Sequence, residues 1–172
     1  FRPYSGNFHK AETFFNSSWQ PFEKRLTKKF SDRNSVEAIR KQADGFFFPF
    51  ALNKRNTIAK SVLVRELKDL WKNSTSKQMI SEMDQYIDHY FVWLEGKDFK
   101  SRIPPNYSSG LRQKIIDLHQ LKIPNTLTPF LMRCLFELKN GNLTEPEVQK
   151  TFEIIESFLF RRSIVFQEEG TG

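Results

Sequence analysis

Carboxylates are the first candidates for chemistry in this sequence, because they act as acids or bases and bind hard cations. Asp84 and Asp88 lie one helical turn apart and close to Glu82, a spacing suited to a cation site or a catalytic carboxylate pair. An apolar stripe from Met79 to Ile87 runs along the same predicted helix. We therefore favour the solvated face of an amphipathic helix as the place of these carboxylates.

Histidine and cysteine, the usual ligands of zinc, are few and scattered. His9, His89 and His119 lie far apart, and none has a second histidine three or four residues away, which excludes a helical metal-binding pair. The single cysteine, Cys134, excludes an intramolecular disulfide and a cysteine-based metal cluster, and it fits a reducing, cytoplasmic setting. Glycine-rich phosphate loops, G-x-S-x-G and H-E-x-x-H are missing from the sequence. We predict no catalytic residue, no metal and no cofactor in this chain.

One pair of residues has the spacing of a nuclease motif. Arg112 and His119 are seven residues apart on a predicted helix, so they project from nearly the same face. This R-x6-H pattern resembles the metal-independent RNase motif of HEPN domains, although Gln113 stands where that family usually has Asn, Asp or His. The resemblance implies that His119 and Arg112 activate the ribose 2′-hydroxyl and steady the scissile phosphate. A HEPN-like RNase stays open as an alternative function.

Positive charge is concentrated in the first part of the chain. Residues 1–72 contain 15 Lys and Arg against 7 Asp and Glu, whereas residues 73–172 contain 12 against 13. A one-sided basic excess is typical of proteins that contact nucleic acid or an acidic partner. The first predicted helix presents four cations opposite its apolar stripe, and these are the candidates for DNA-phosphate contact: Lys24, Arg25, Lys28 and Lys29.

Helical periodicity starts after an irregular N-terminal segment. Residues 1–16 are predicted to form an extended arm. The first helix follows, with Ser17 or Ser18 as its N-cap and Pro21 in its first turn. Its inward stripe consists of Trp19, Phe22, Leu26 and Phe30.

The next two helices are predicted from start and stop signals. The second starts at Asn34 or Ser35 and ends at the apolar run of residues 46–50, which Pro49 interrupts. We expect that run to form a buried helix end or a corner between helices. The third helix is predicted from about Thr57.

Capping signals mark the later helices. Thr75-Ser76-Lys77-Gln78 and Thr144-Glu145-Pro146-Glu147 have the form of capping boxes, and Thr128-Pro129 supplies an N-cap and an N1 proline. Asn140-Gly141 ends the helix that starts at Thr128. The last helix is predicted to end at Arg161-Arg162, whose guanidinium groups would satisfy its last carbonyls or pair with carboxylates of an adjacent helix. Another inward stripe is formed by Leu111, Ile115 and Leu118.

These patterns predict an all-α protein of about seven helices in an orthogonal or bundle-like packing. A chain of 172 residues with 38% hydrophobic composition and a mean hydropathy of −0.56 is neither a disordered nor a membrane protein. Because the chain starts at Phe1 and has no signal-peptide pattern, we expect it to be a piece of a longer protein. The predicted organisation is an arm at 1–16, a basic helical sub-domain at 17–95, a linker at 96–110, a second helical sub-domain at 111–166, and a tail at 167–172.

Three short segments carry a resemblance to a known family. Ser18-Trp19-Gln20-Pro21-Phe22-Glu23 contains W-x-P-hydrophobic-E, Pro129-Phe130-Leu131 opens a helix, and Glu156-Ser157-Phe158-Leu159-Phe160-Arg161-Arg162 contains E-small-aromatic-L-x-R-R. Together they resemble the helical region that follows the N-terminal domain of GmrSD-type restriction endonucleases, the ParB-like plus HNH nuclease proteins of bacterial phage defence. The structural motif residues of this resemblance are Trp19, Glu23, Arg161 and Arg162.

The resemblance implies a non-catalytic helical domain within a modification-dependent nuclease that also hydrolyses nucleotides. The family's D-G-Q-Q-R sequence and HNH pattern are missing here, because Asp44-Gly45 continues into phenylalanines. The catalytic residues are therefore expected outside this chain, which would position catalytic domains, contact DNA phosphates, or do both. The expected partners are neighbouring domains of the same chain and DNA, with no membrane. An independent helical protein-interaction module stays open as a second alternative.

Overall fold

A computed structural model describes most of the chain, namely residues 12–28, 36–55, 57–94, 96, 98–121 and 123–169, with the side chains of residues 27–28, 36–44 and 163–169 excepted. Every regular element of the described residues is helical, which confirms the predicted all-α fold. This part of the chain contains seven α-helices: α1 Gln20–Lys28, α2 Val36–Lys54, α3 Leu63–Leu70, α4 Ser76–Trp93, α5 Ser109–Gln120, α6 Thr128–Lys139 and α7 Glu145–Glu169. In the described residues no helix combines the length and the apolarity needed to cross a bilayer.

The chain divides into two compact units, residues 1–88 and 89–172, and the division falls inside α4. The sequence predicts a linker at 96–110 instead. The described part of that segment is packed rather than extended, because Ile103 is buried and the Arg102 guanidinium donates to the Phe91 carbonyl O at 3.2 Å. Proline and glycine therefore mark a folded segment of the second unit here.

The helical region starts earlier than predicted. Residues 12–14 are helical, and Phe15–Trp19 form a π-helical turn in which the Gln20 N–H donates to the Phe15 carbonyl O. The prediction of an extended arm is therefore wrong for residues 12–16, and residues 1–11 lie outside the described part. Ser17 and Ser18 lie within the π-helical turn, so neither is the N-cap. Pro21 explains the wide turn, since proline lacks an N–H and its ring clashes with the carbonyl four residues earlier.

Helix α2 continues through Pro49, so the predicted break at this proline is wrong. Phe46 and Phe50 lie one turn apart on either side of it, and both are fully buried. The Asn53 side chain donates to the Pro49 carbonyl O at 2.9 Å. Packing of the two phenylalanines thus outweighs the hydrogen bond that the proline removes.

Two predicted helix starts have different outcomes. Asn34 and Ser35 lie outside the described residues. The third helix starts later than Thr57, because residues 57–59 are irregular and a 3₁₀ turn at Lys60–Val62 leads into α3.

Aromatic rings form the core of the first unit. Phe46 stacks on Phe50 with ring centroids 5.6 Å apart, and Phe50 contacts Tyr86 at 5.6 Å and Trp71 at 5.8 Å. Phe22 of α1 joins them through Phe46 at 6.2 Å. These rings connect α1, α2 and α4 with the residue that follows α3.

In the second unit α5 packs against α7. The predicted inward stripe of α5 is confirmed, since all three of its residues are fully buried: Leu111, Ile115 and Leu118. On α7, the buried Phe152 meets the Trp93 ring edge to face at 5.4 Å.

The predicted capping box of α4 has both of its hydrogen bonds, and that of α7 has the one that ends on the Glu147 carboxylate. The Thr75 N–H donates to Gln78 Oε1 at 2.8 Å and the Gln78 N–H donates to Thr75 Oγ1 at 3.2 Å. At α7, both the N–H and the hydroxyl of Thr144 donate to Glu147 Oε2, at 2.8 and 2.7 Å. The prediction of Thr128 as an N-cap is wrong. A 3₁₀ turn at Asn125–Leu127 leads directly into α6, and Thr128 is already the first residue of that helix.

The C-terminus of α6 ends as predicted at Asn140-Gly141. The Gly141 N–H donates to the Leu138 carbonyl O and the Asn142 N–H to the Glu137 carbonyl O, which is the Schellman pattern. Gly141 has a φ of +74°, a conformation that side chains with a Cβ rarely adopt.

Gly141→Ala is expected to lower the free energy of unfolding by about 1 kcal/mol. A Cβ at this position meets nothing within 4 Å, so the cost is backbone strain alone. Urea denaturation monitored by circular dichroism measures the change. Gly141→Asn is the control and is expected to lose less, because Asn tolerates the left-handed conformation. Equal losses in the two variants would contradict this explanation.

Glu147→Gln is expected to make the free energy of unfolding less dependent on pH in the acid range. The backbone N–H and hydroxyl of Thr144 lower the pKa of Glu147. A carboxyl with a lowered folded-state pKa contributes stability above its unfolded pKa and loses it as the pH falls through the folded pKa. Below about pH 4.5 the free energy of unfolding of the wild type should therefore fall faster than that of Glu147→Gln. The neutral amide of the variant keeps an acceptor oxygen for Thr144, as Gln78 does for Thr75 at α4.

Urea midpoints measured over an acid pH series check this expectation. Asp69→Asn removes an exposed carboxylate from α3 and serves as the control, with a profile parallel to that of the wild type. A parallel profile for Glu147→Gln as well would show that the capping carboxylate contributes nothing through its charge.

Candidate nucleic-acid interface

Helix α1 is fixed by one apolar face. Phe22 and Leu26 are each only 3% exposed, and they lie one turn apart. Lys24 projects from a different side and is exposed. An exposed lysine on an anchored helix is a suitable contact for a phosphate group.

Arg25 is ion-paired with α4. Its Nη1 contacts the Asp84 carboxylate, and its Nη2 donates to Asp88 Oδ2 at 2.6 Å. Burial lowers the pKa of the Arg25 guanidinium, but the hydrogen bonds and charges of Asp88 and Asp84 outweigh burial, so the pKa is raised. Arg25 stays charged, and its charge is balanced by two carboxylates of α4.

This ion-paired cluster corrects the expected role of the α4 carboxylates. Asp84 and Asp88 are about half exposed, as on a solvated face, but they also bind α1 through Arg25. A DNA phosphate would have to compete with both carboxylates for the same guanidinium. This competition weakens Arg25 as a candidate for phosphate contact.

The other two candidate cations lie outside the described side chains. Lys28 is the last residue of α1, and nothing is described of its side chain; Lys29 follows it and lies outside the described residues. The structure thus places Lys24 and Arg25 side by side on one helix.

Glu82 belongs to a second charged cluster that sequence reasoning missed. Lys54 Nζ lies 2.6 Å from Glu82 Oε1, and the Trp71 indole N–H donates to Glu82 Oε2 at 3.1 Å. The Lys54 ammonium also lies 5.1 Å from the centre of the Tyr86 ring. In the sequence, the only sign of this cluster was a carboxylate among the apolar residues of α4. It did not identify the partners of Glu82, which are Lys54 on α2 and Trp71 after α3.

The family-motif residues lie in both units. Trp19 is half-buried, with its ring 6.0 Å from that of Phe22, and Glu23 is exposed in the first turn of α1. The W-x-P motif thus spans the π-helical turn and the start of α1.

Arg161 and Arg162 lie inside α7, which continues to Glu169, so the prediction that they end this helix is wrong. Both side chains are exposed. Arg161 Nε donates to the Ser157 carbonyl O at 3.2 Å, one turn earlier in the same helix. The predicted tail also changes, because residues 167–169 are helical and residues 170–172 lie outside the described part.

His119 is held by its neighbours in the second unit. Its ring stacks on Phe99 at 4.3 Å and on Trp93 at 5.7 Å. Nε2 lies 2.7 Å from the Val92 carbonyl O, and since a carbonyl only accepts, Nε2 is the donor. Arg112 is exposed two turns away along α5. These contacts favour a structural role for His119 over the transfer of a ribose proton.

The remaining candidate for covalent chemistry is the cysteine. Cys134 is buried in α6, and burial raises the pKa of its thiol to about 11. At neutral pH it is therefore protonated and a poor nucleophile. Among the described residues, no three His, Cys, Asp or Glu side chains gather as a metal site.

Comparisons of the chain with protein-family models, with curated proteins and with solved structures gave no match.

Arg25→Met is expected to lower the free energy of unfolding by about 1 kcal/mol, because it leaves two neighbouring carboxylates without their shared cation. Chemical denaturation at low salt measures the loss. In an Asp84→Asn/Asp88→Asn background the same substitution should cost close to nothing. An equal loss in both backgrounds would mean that the methylene packing of Arg25, and not its charge, stabilises α1.

Proposed function

We propose that this chain is a non-catalytic helical domain of a modification-dependent DNA restriction protein of bacterial phage defence. In this function it contacts DNA phosphates through α1 and positions neighbouring catalytic domains of the same, cytoplasmic protein. The observation that carries the proposal is that the segments resembling GmrSD-type proteins are helical, as a helical region of that family requires: Ser18–Glu23, Pro129–Leu131 and Glu156–Arg162.

The DNA-contact part of the proposal rests on Lys24. Its helix is anchored by Phe22 and Leu26, so the backbone that carries this exposed lysine has a defined place on the surface. A phosphate bound there would gain from the basic excess of the first part of the chain. Such contacts are independent of base sequence, because phosphate contacts carry no sequence information directly.

The positioning part of the proposal rests on rigidity. The aromatic core of the first unit joins α1 and α2 to the first part of α4, and in the second unit α5 and α7 pack around fully buried residues. Helices held in this way keep attached domains at defined distances. The stacking of His119 on Trp93 and on Phe99 supports this interpretation over the HEPN-like alternative.

Salt-dependent binding to duplex DNA tests the proposal. Fluorescence anisotropy with an unmodified duplex should show binding whose logarithm falls linearly with the logarithm of the salt concentration. Lys24→Ala should lower that slope by about 1, because one phosphate contact is lost. Lys77→Ala, at an exposed lysine in the first turn of α4, is the matched control and should leave the slope unchanged.

Two outcomes would count against DNA contact by α1. The first is no binding at low salt, and the second is an equal effect of the two lysine variants. A duplex that contains modified cytosine, titrated in parallel, tests whether modification is sensed by this domain. Equal affinity for the two duplexes would assign modification sensing to another part of the protein.

A further inference from the structure

Helix α3 presents a row of cations on its exposed side. Arg65, Lys68 and Lys72 lie at positions i, i+3 and i+7, so they share one side of α3 and of the turn that continues it. The Trp71 N–H donates to the Leu67 carbonyl O, which extends the helical turn up to Lys72. All three cationic residues are exposed. We call them the α3 cation row.

The opposite side of α3 is anchored in the core of the first unit. Leu67 and Trp71 are both buried. The Trp71 ring stacks on Phe50 at 5.8 Å, and its indole N–H donates to Glu82 Oε2 at 3.1 Å. The backbone that carries the α3 cation row therefore has a defined place on the first unit.

The fold makes little use of the charges of this row. Lys68 and Lys72 take part in none of the ion pairs that join described residues. Arg65 has one carboxylate neighbour, Glu66 at 3.9 Å, and the Arg65 side chain is 70% exposed, so this pair is weak. Asp69 is exposed one turn after Arg65, and the row opposes three positive charges to this one negative charge.

Other cations of the first unit are already engaged. Arg25 binds two carboxylates of α4, and Lys54 binds Glu82. Residues 55–72 contain five Lys and Arg against two Asp and Glu, so half of the basic excess of residues 1–88 lies in this short segment. The α3 cation row is therefore a place on the first unit where positive charge is available to a partner.

The chemistry of the row favours phosphate groups over an acidic protein surface. Protein interfaces are depleted of lysine and are anchored by large apolar or aromatic side chains. Of the residues of α3, all of which are described, Val64 is the one large apolar side chain that is exposed. The row spans about 10 Å along the helix, and a DNA strand has one phosphate per about 3.4 Å of duplex axis. Its three side chains can therefore reach successive phosphates of one strand.

We propose that the α3 cation row binds the phosphates of duplex DNA, as a contact separate from that of α1. Each of the three side chains neutralises one phosphate, and the contact is independent of base sequence. The inference rests on the proposed function for the nature of the partner. It does not rest on Lys24, because the row lies on a different helix.

Salt titration of duplex binding by the full chain tests the row. A fluorescent unmodified duplex is bound at several salt concentrations, and the slope of the logarithm of affinity against the logarithm of salt is measured. Arg65→Gln/Lys68→Gln/Lys72→Gln should lower that slope by about 3, because three phosphate contacts are lost. Lys68→Arg/Lys72→Arg keeps both charges and should retain the slope of the wild type.

Lys100→Gln/Lys139→Gln/Lys150→Gln is the matched control. It removes the same net charge from three exposed lysines of the second unit, and it should change the slope by less than about 0.5. Circular dichroism checks that each variant keeps its helix content. Unlabelled duplex should displace the probe at a lower concentration of negative charge than polyglutamate does.

Several results would overturn the inference. One is an unchanged slope for the triple variant of the row, and another is an equal decrease in the matched control, which would reflect net charge alone. A lowered slope for Lys68→Arg/Lys72→Arg would also contradict a contact made through charge. Equal displacement by polyglutamate would assign the row to acidic polymers in general.

Lys24→Ala in the same titration separates this inference from the contact proposed for α1. A lowered slope for Lys24→Ala with an unchanged slope for the triple variant would overturn the α3 contact and keep that of α1. The reverse result would keep the α3 contact and overturn that of α1. Failure of the wild type to bind the duplex at low salt would overturn both.

Discussion

Burial of α4 is the constraint on which both units depend. In its first part the helix is amphipathic, with Met83 buried and Asp84 half exposed, but every residue from His89 to Trp93 is buried. A helix that is covered on all sides is stable only when other protein elements surround it. In the first unit α1 and α2 reach α4 through ion pairs and ring contacts. In the second unit α5, α6 and α7 each contact its last turns through aromatic and imidazole rings.

The same helix changes the charge distribution that the sequence indicates. Split at residue 72, the chain has a strongly basic part and a nearly neutral one. The three carboxylates of α4, however, belong to the first unit, and they pair with Arg25 and Lys54. Residues 1–88 therefore contain 16 Lys and Arg against 10 Asp and Glu, and residues 89–172 contain 11 against 10. The basic excess persists in the first unit, but part of it stabilises α1 and α2 and is not available to a phosphate.

Local signals in the sequence were sufficient for the fold class and for several helix ends. The Thr75 and Thr144 capping boxes and the Gly141 terminus depend on residues within one turn of each other, so their chemistry is visible in the sequence. The local signals at Pro49 and in residues 96–110 were insufficient for the opposite reason. The conformations there depend on distant packing, since Phe46 and Phe50 of the proline's helix are fully buried and Arg102 donates to the Phe91 carbonyl O of α4. The pairing of Arg25 with α4 is likewise 59 and 63 residues away in sequence, beyond any spacing rule.

Helix α7 shows that exposed apolar residues escape a periodicity argument. Apolar residues occur on several sides of its second half, so Ile154 and Phe158 do not stand out from the stripe that includes Phe152 and Leu159. Only the exposed fractions separate the two sets.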